Sequence, residues 1–372
     1  MLVGVPKEIK THEYRVGLVP GSVRELVHHG HQVIVETGAG AGIGFDDAAY
    51  ERAGASIVGS AGDVFARAEM VVKVKEPQPQ ECAQLREGQV LFTYLHLAAD
   101  KAQTEALMRS GSTCIAYETV TDLRGGLPLL APMSEVAGRM SVQVGAHCLE
   151  KEQGGQGVLL GGVPGVPAAK VVILGGGVSG TNAARMAMGM EAEVAVIDRS
   201  LQRLKELDLQ FGSKLHCLFA TVDNIEKAVI AADLVIGAVL VPGAAAPRLV
   251  TRDMLRRMKP GSVFVDIAID QGGCAETSRP TTHAHPTYIE EGVIHYCVTN
   301  MPGAVARTST FALNNATLPF VMALADKGWR QALRNDVHLL RGLNVHRGHI
   351  THDAVARDLG FASQAPETAL AA

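Results

Sequence analysis

The chain has 372 residues, enough for two domains with separate cores. Hydrophobic residues make up 47% and charged residues 19% of it, which is typical of a globular protein. The formal net charge is −4 and no basic run occurs, so attraction to nucleic acid or to an anionic membrane is not expected. These properties favour a small molecule as the partner.

The sequence contains no pattern typical of export or membrane insertion. Residues 1–10 include Pro6 and several charges where a signal peptide needs an apolar core. The longest apolar stretch, residues 229–242, is interrupted by Asp233. The six cysteines are scattered without a C-x-x-C pair, which predicts reduced thiols in a cytoplasmic protein.

The first third of the chain alternates short apolar runs with helical patterns, which predicts a parallel sheet covered by helices. Strands are expected at residues 2–6, 32–36, 70–75, 90–95 and 113–117, and helices at residues 20–29, 46–53, 61–67, 80–86 and 100–110. Residues 37–44 contain four glycines and are similar in composition to a phosphate-binding loop. No strand of comparable length precedes them and no clear helix begins on them, so we interpret them as a flexible loop.

A domain crossover is predicted within a long helix at residues 133–152, and a Gly/Pro loop at residues 161–167 leads into the second domain. After Asp198 the pattern predicts helices at residues 201–211, 224–231 and 252–258, and strands at residues 215–220, 234–239, 262–269 and 293–298. This number of elements suits a doubly wound sheet. A long helix is expected at residues 308–325, then shorter helices to residue 359 and a disordered tail at residues 362–372.

Residues 170–198 predict a complete strand, turn, helix and second strand. Gly175, Gly177 and Gly180 have the G-x-G-x-x-G spacing, and Asp198 ends the second strand. Glycines of this spacing let a pyrophosphate approach the N-terminus of the helix, and the acidic residue binds the ribose hydroxyls and disfavours a 2′-phosphate. The unit therefore predicts binding of NAD rather than NADP; the alternative is an ordinary glycine-rich turn.

Three polar residues come after predicted strands, where ligands bind in open α/β sheets. They are Lys75, His96 and Asp270. Hydride transfer on a polar substrate needs a cation for a carboxylate, a group that titrates near neutrality and a carboxylate that orients water or ammonium. The alternatives are a solvated lysine, a structural histidine and an aspartate that caps the next helix.

Several segments together resemble the L-alanine dehydrogenase family. They are GVPKEIKTHEYRVGLVP, VKVKEPQ, LFTYLHLA, LLAPMSEVAGRMSVQVGAH, ILGGGVSGTNAA, VDIAIDQGG and VTNMPGAVARTST, and they extend over nearly the whole chain. The resemblance implies an α/β fold of two domains, in which a Rossmann doubly wound parallel sheet at residues 132–301 is inserted in a second α/β domain. That substrate domain comprises residues 1–131 and is completed by the C-terminal helices at residues 302–372. A more distant resemblance, to the NAD-binding part of transhydrogenases, covers much of the same ground.

The resemblance also implies roles for individual residues. Arg15 would anchor the substrate carboxylate, and Lys75 would contact the carboxylate or the keto oxygen. His96 would be the general acid/base, and Asp270 would position water or the amino group. The cofactor set it implies, together with the glycine turn, is Ser134, Gly175, Gly177, Val178, Gly180, Asp198, Arg203, Ala220, Val239, Leu240, Ile267, Asp270, Arg279, Asn300 and Met301. In this set Arg203 would reach the adenosine ribose, and Ala220 stands where the family often has serine.

No metal site is expected from the sequence. Glu118 is a candidate ligand, but Lys327 and the lack of an evident ligand cluster argue against it. The pair His283 and His285 is interpreted as part of a polar loop.

The expected reaction is NAD-dependent, reversible oxidative deamination of L-alanine to pyruvate and ammonium, by an assembly that the family implies is a homohexamer. Two alternatives stay open: a transhydrogenase-like component that binds NAD(H), and a catalytically silent NAD-binding protein.

Overall fold

The structure is a computed structural model that describes residues 1–239 and 246–371. The chain divides into two compact units, one formed by Met1–Met133 with Val305–Ala372 and the other by Ser134–Ala304. The second unit is thus an insertion in the first. Each unit contains one mainly parallel sheet with helices, which confirms the predicted fold class.

Strands and helices alternate through most of the chain. The strands are β1 (Leu2–Val5), β2 (Gln32–Glu36), β3 (Ser56–Val58), β4 (Met70–Val72), β5 (Val90–Thr93), β6 (Thr113–Ala116), β7 (Lys170–Leu174), β8 (Glu193–Asp198), β9 (Leu215–Phe219), β10 (Leu234–Gly237), β11 (Val263–Asp266), β12 (Thr287–Glu290), β13 (Val293–Tyr296), β14 (Leu343–His346) and β15 (His349–Ile350). The helices are α1 (Pro20–His28), α2 (Asp47–Arg52), α3 (Ala61–Arg67), α4 (Pro79–Cys82), α5 (Lys101–Ser110), α6 (Ala131–Cys148), α7 (Val178–Gly189), α8 (Leu201–Phe211), α9 (Val222–Ala231), α10 (Arg252–Arg257), α11 (Ala306–Lys327), α12 (Trp329–Asn335), α13 (Val337–Leu340), α14 (Asp353–Leu359) and α15 (Pro366–Ala371).

The sheet of the first unit has the order β15-β14-β6-β5-β4-β1-β2-β3. Strands β1 to β6 are parallel, and β14 pairs antiparallel with β6. Every residue of β4, β5 and β6 is buried, as expected of strands covered on both faces. Read from the β3 edge, the order of the parallel strands is 3-2-1-4-5-6.

The sheet of the second unit has the order β12-β13-β11-β10-β7-β8-β9. Six of these strands are parallel, and β12 pairs antiparallel with β13 at the edge. The parallel strands therefore have the same 3-2-1-4-5-6 order, the doubly wound arrangement that the sequence predicts. The crevice at the switch point of this sheet lies between β7 and β10.

Several strands are shorter than predicted, so the polar residues expected at their ends lie further from the strand. The strands predicted at residues 70–75, 90–95 and 262–269 end at Val72, Thr93 and Asp266. Lys75 and His96 are therefore three residues beyond a strand rather than adjacent to it. Asp270 lies in a short 3₁₀ helix, Ile267–Gln271.

The C-terminal region also differs from the prediction. The tail predicted as disordered contains α15, in which Ala369 and Leu370 are buried. The short strands β14 and β15 lie where only helices are expected, because β14 completes the sheet by pairing with β6. A residue pattern of four or fewer positions does not reveal such an edge strand.

Candidate functional site

The geometry of the predicted glycine turn requires glycine at two of its three glycine positions, Gly175 and Gly180. Gly175 directly succeeds β7 with φ +101°, and a Cβ there would lie 2.8 Å from the carbonyl oxygen of Ala238. A Cβ on Gly180 would lie only 1.8 Å from the carbonyl oxygen of Gly175. Gly177 is the N-cap of α7, and a Cβ there would meet nothing within 4 Å. The turn is thus close-packed on one side and open at the start of the helix, where an anion binds favourably.

Asp198 and Arg203 hold the middle residue of this turn from both sides. The carboxylate of Asp198 accepts hydrogen bonds from the backbone N–H of Gly176 at 2.7 Å and of Ser200 at 2.8 Å. Arg203 donates from Nε to the carbonyl oxygen of Gly176 and from Nη2 to Oγ1 of Thr181, both at 2.6 Å. Arg203 therefore stabilises the turn itself, a function that the sequence does not reveal.

Other residues of the predicted cofactor set lie along the same edge of the second sheet. Ala220 comes directly after β9, and its N–H donates to the carbonyl oxygen of Asp198 at 3.0 Å. Val239 is two residues beyond β10, and Ile267 comes directly after β11. A Cβ on Gly175 would lie 3.0 Å from the nitrogen of Val239, so these strand ends are adjacent. Leu240 lies outside the described residues.

Ser134 is brought towards the turn by helix packing. It lies on α6 one helical turn before Gly138, and a Cβ on Gly138 would lie 2.1 Å from the carbonyl oxygen of Ser179. Glycine at this position lets α6 approach the first turn of α7. Half-buried Ser134 is therefore on the helix that packs against the turn.

The last three residues of the predicted cofactor set come later in the sequence of the second unit. Arg279 is exposed, with its guanidinium 4.0 Å from the ring centroid of Tyr288. Asn300 has φ +62°, and its carbonyl oxygen is 3.1 Å from Nε2 of His283. Met301 is buried. The predicted cofactor roles of these residues rest on the family resemblance.

Asp270 has an exposed side chain in a loop that is fixed by another carboxylate, Asp266. Asp266 accepts from the N–H of Ala268 at 3.0 Å, from the N–H of Cys274 at 2.9 Å and from the hydroxyl of Ser278 at 2.5 Å. Burial raises the pKa of Asp266, although these hydrogen bonds oppose the rise. The loop is therefore anchored on both sides of Asp270.

In the first unit, Arg15 is 2% exposed and paired with Glu13. Nε and Nη2 of Arg15 donate to the two carboxylate oxygens of Glu13 at 2.7 and 2.6 Å, and Nη1 lies 3.1 Å from Sδ of Met133. Burial alone would lower the pKa of Arg15, but its bond to Glu13 outweighs burial and the pKa is raised. The guanidinium is thus held as a cation, in a fixed plane.

Lys75 is half-buried, and its backbone is held by Glu8. One carboxylate oxygen of Glu8 accepts from the N–H of Val74 at 2.7 Å and from the N–H of Lys75 at 3.3 Å. Nζ of Lys75 lies 3.9 Å from the carboxylate of Glu76.

A second lysine, Lys73, is completely buried, which its alternating sequence pattern does not predict. Its Nζ lies 3.2 Å from Glu8 and 2.6 Å from Glu81. Burial lowers the pKa of Lys73, but the two carboxylates outweigh burial and the pKa is raised. Burial raises the pKa of Glu8, with Lys73 opposing. The sequence does contain one sign of this burial, because Lys73 stands within the apolar run MVVKVK. A lysine buried there needs a buried carboxylate as its partner.

His96 is exposed, with a left-handed backbone of φ 50° and ψ 40°. This conformation costs a non-glycine residue roughly 1–2 kcal/mol. Glu118 accepts hydrogen bonds from the N–H of His96 at 2.6 Å and from the N–H of Leu95 at 3.1 and 3.2 Å. Glu118, a weak metal candidate in the sequence, thus has a backbone role.

Tyr94 lies near two of the three candidates of the first unit, His96 and Arg15. Its ring is stacked on that of His96, with centroids 5.8 Å apart and planes inclined by 10°. Burial raises the pKa of Tyr94, and the nearby charge of Arg15 lowers it. Oγ1 of Thr93 donates to the carbonyl oxygen of Lys75 at 3.0 Å. Tyr94 is absent from the residues predicted from the sequence, although its spacing of two from His96 is visible in LFTYLHLA.

The described residues provide no group of three or more His, Cys, Asp and Glu side chains that could hold a metal ion. No helix in the described part of the chain is both long and apolar enough to cross a membrane. The six cysteines are free thiols, and five of them are buried.

Comparisons with known proteins match both units. The family model described as "Alanine dehydrogenase/PNT, N-terminal domain" matches residues 4–137, and that described as "Alanine dehydrogenase/PNT, C-terminal domain" matches residues 141–353. A curated relative named alanine dehydrogenase, from Halomonas elongata, is 63% identical over 361 residues and 97% of each chain.

Two solved structures resemble the whole fold. One titled L-alanine dehydrogenase has a TM-score of 0.94 and 56% identity, over 97% of this chain and 99% of its own. A transhydrogenase from Sinorhizobium meliloti has a TM-score of 0.81 and 28% identity, over 95% of this chain and 100% of its own. Since the family models and the full-length relative agree, the chain belongs to the alanine dehydrogenase/PNT family.

Proposed function

We propose that this protein is an NAD-dependent amino-acid dehydrogenase that converts L-alanine reversibly to pyruvate and ammonium. The observation that carries the proposal is identity of 53–63% to curated alanine dehydrogenases over 96–100% of the chain. Identity at this level makes the same reaction the simplest interpretation of the polar groups around Tyr94 and of the glycine turn.

The geometry of the second unit supports NAD as the cofactor. The glycine turn leaves the N-terminus of α7 open to a pyrophosphate, because Gly177 has no side chain to cap the helix. Asp198 ends β8, where a carboxylate binds ribose hydroxyls and repels a 2′-phosphate. When bound, NAD⁺ supplies the acceptor for the hydride that leaves Cα of alanine.

The first unit would bind the substrate. The guanidinium of Arg15 is buried, planar and held as a cation, which suits an anchor for a carboxylate. Lys75 would contribute a second positive charge to the carboxylate or to the keto oxygen. Both residues lie in segments held by carboxylates, so their positions are set before the substrate binds.

His96 would carry the proton transfers. The ammonium group of L-alanine would first lose a proton to solvent, so that loss of the hydride gives an iminium. Water would then attack the iminium carbon, and His96 would accept one proton of that water. Return of this proton to the nitrogen as the carbinolamine collapses gives pyruvate and ammonium. Imidazole is suited to both steps, since one ring nitrogen accepts a proton and the protonated ring can donate it again. Asp270 would orient the water or the amino group.

We assign the substrate role to residues 1–131 and 302–372 and the NAD-binding role to residues 132–301. The protein is proposed to act in amino-acid catabolism in the cytoplasm, as a homohexamer, in keeping with the family resemblance. Gel filtration with light scattering tests the assembly, and a species other than the hexamer contradicts it.

An assay of absorbance at 340 nm tests the reaction. We expect NADH to form from NAD⁺ with L-alanine faster than with L-serine, glycine or L-lysine, and more slowly with NADP⁺. NADH binding without turnover of any amino acid would instead favour a silent binding protein. Transfer of hydride between dinucleotides without an amino acid would favour the transhydrogenase alternative.

Three variants test the assigned roles. His96→Ala and Asp270→Asn should lose turnover, and Arg15→Ala should mainly raise KM for L-alanine, because the first two act on reacting atoms and the third on a remote carboxylate. Glu105→Gln, on the exposed face of α5, is the control. Full activity in Asp270→Asn contradicts the role of that carboxylate.

A further inference from the structure

Glu118 is held in a position from which its carboxylate reaches the neighbouring strand. It lies in the 3₁₀ turn Tyr117–Thr119 directly after β6, and β6 pairs in parallel with β5. His96 lies just beyond β5, so both residues project from the same edge of the sheet. The carboxylate therefore meets the backbone of His96 from the side.

The contact is with two consecutive N–H groups. Those of Leu95 and His96 both point at Glu118, at distances of 2.6 to 3.2 Å. Successive N–H groups that converge in this way form a concave anion site, and one carboxylate satisfies both of them. The backbone of His96 itself is left-handed, with φ 50°, so the residue whose N–H is held is also the strained one.

We propose that Glu118 is a positioning residue that fixes the imidazole of His96 through the backbone of Leu95 and His96. The inference rests on the proposed function, since it assigns His96 the proton transfers. Glu118 does not touch the substrate in this proposal. It maintains a backbone conformation that the chain would otherwise leave, and stacking on Tyr94 then sets the plane of the imidazole.

A second pattern supports this role. Lys75 and Asp270 are held in the same manner, by Glu8 through the N–H groups of Val74 and Lys75 and by Asp266 through those of Ala268 and Cys274. In each case the candidate side chain lies beyond the last residue of a strand, and a carboxylate accepts from backbone N–H groups of that segment.

The test compares Glu118→Gln with Glu105→Gln, which removes an exposed carboxylate from α5 of the same unit. In E118Q an amide NH₂ replaces one acceptor oxygen beside the two N–H groups. We expect kcat with L-alanine to fall about 10–100-fold, as for small misplacements of a reacting group, while KM changes less than about 3-fold and NADH affinity is unchanged. E105Q should match the wild type.

Two further readouts separate positioning from general damage. Amide hydrogen exchange of residues 94–97 should become faster in E118Q but not in E105Q, whether or not the enzyme turns over. Adding E118Q to His96→Ala should lower activity no further, because Glu118 acts through His96. If E118Q does not fold, Glu118→Asp, one methylene too short to reach both groups, replaces it in all measurements.

Unchanged exchange in residues 94–97, or unchanged kcat in an otherwise active enzyme, overturns the positioning role. A parallel loss of NADH affinity also overturns it, since that indicates unfolding rather than misplacement. A wild type that does not oxidise L-alanine contradicts the proposed function itself, and the exchange measurement still shows whether Glu118 holds the backbone.

Discussion

Both sheets of this protein place their first strand beside their fourth, yet the two switch points hold different chemistry. Between β7 and β10 the chain turns on three glycines, and α7 begins four residues after β7. Between β1 and β4 the corresponding place holds a buried ion pair, Glu8 with Lys73, at 3.2 Å. The same winding thus leaves an open helix N-terminus in one unit and places a buried ion pair in the other.

The difference arises from the segment that connects the first strand to the first helix. In the second unit a helix starts at once, so its N–H groups face the crevice. In the first unit α1 begins only at Pro20, fifteen residues after β1 ends at Val5. The intervening loop carries Glu8, Glu13 and Arg15, and it fills the edge of the sheet with side chains. Strand order alone therefore does not make a dinucleotide site.

The largest loss of NADH affinity is expected at Gly180, where the glycine turn of the second unit has no space for a side chain. Gly180→Ala places a methyl group 1.8 Å from the carbonyl oxygen of Gly175, and neither backbone segment can move without opening the turn. We expect NADH affinity to fall by about 100-fold or more, corresponding to about 3 kcal/mol of overpacking. Titration calorimetry with NADH measures it.

Gly189→Ala is the matched control, because a Cβ at that position of α7 meets nothing within 4 Å. It should bind NADH like the wild type. Equal affinities of the two variants would show that the turn is not where the cofactor binds.

The next largest effect concerns the ion pair of the first unit. Lys73→Met leaves Glu8 and Glu81 buried without their common cation, and the free energy of unfolding should fall by about 3–5 kcal/mol. Combining Lys73→Met with Glu8→Gln and Glu81→Gln should recover most of this loss, since no uncompensated charge is then buried. Urea denaturation measures both variants.

Lys227→Met provides the comparison, because its ion pair with Asp223 is exposed on α9. No measurable change in urea midpoint is expected there. A Lys73→Met protein as stable as the wild type would show that the crevice between β1 and β4 tolerates unpaired carboxylates.

A smaller effect is expected at the turn from Arg203→Ala. The variant loses the two 2.6 Å hydrogen bonds to Gly176 and Thr181 but adds no steric conflict. The dissociation constant of NADH should rise by about 3–30-fold, the cost of one or two bonds to a charged, partly exposed donor. Lys205→Ala, exposed on the same helix, should have no effect. A wild-type constant in Arg203→Ala would exclude a role in shaping the turn.

The smallest effect is a loss of stability at low pH. It involves the antiparallel strand pairs of the two sheets, where each unit buries a histidine. His346 on β14 is beside Thr113, and burial, with nearby Arg330, Arg347 and His349, lowers its pKa to about 4. Burial also lowers the pKa of His295 on β13. A lowered folded-state pKa means that stability is complete above the unfolded value of about 6.5 and is lost as the pH falls towards about 4.

The variant His346→Asn should therefore lose less stability than the wild type between pH 7 and pH 4.5, because it no longer has to bury a group that becomes charged. Urea midpoints at the two pH values give the comparison. Identical losses in both proteins would show that His346 does not contribute to acid sensitivity.

The second unit is predictable from its sequence to a large extent. Its glycine turn is local, since Gly175, Gly177, Gly180 and the helix after them are contiguous, and the positive φ of Gly175 is one that glycine adopts at little cost. The element at residues 201–211 has the predicted bounds. The family resemblance assigns Arg203 to the ribose, whereas its bonds to Gly176 and Thr181 are visible only in the structure.

The first unit is less predictable, because its polar groups are paired over long distances. The partner of Lys73 at position 8 is 65 residues away, and the pattern MVVKVK suggests an exposed face instead. The predicted ends of β4 and β5 lie too far along the chain, because an apolar run does not show where regular strand pairing ends. Beyond Val72 and Thr93 two further backbone bonds join the segments, from Lys73 to Phe92 and from Tyr94 to Val74, and carboxylates accept from the N–H groups that follow.

The fold class and the glycine turn are already determined by the order of residues along the chain, because both depend on periodicity and residue type within about thirty contiguous positions. Tertiary packing selects the carboxylates that hold the backbone of Lys75 and His96, because Glu8 and Glu118 lie 67 and 22 positions away along the chain. It also brings Arg15 near the ring of Tyr94. Hydrogen-bond partners are chosen by burial, since a buried N–H or cation requires an acceptor wherever the fold can supply one.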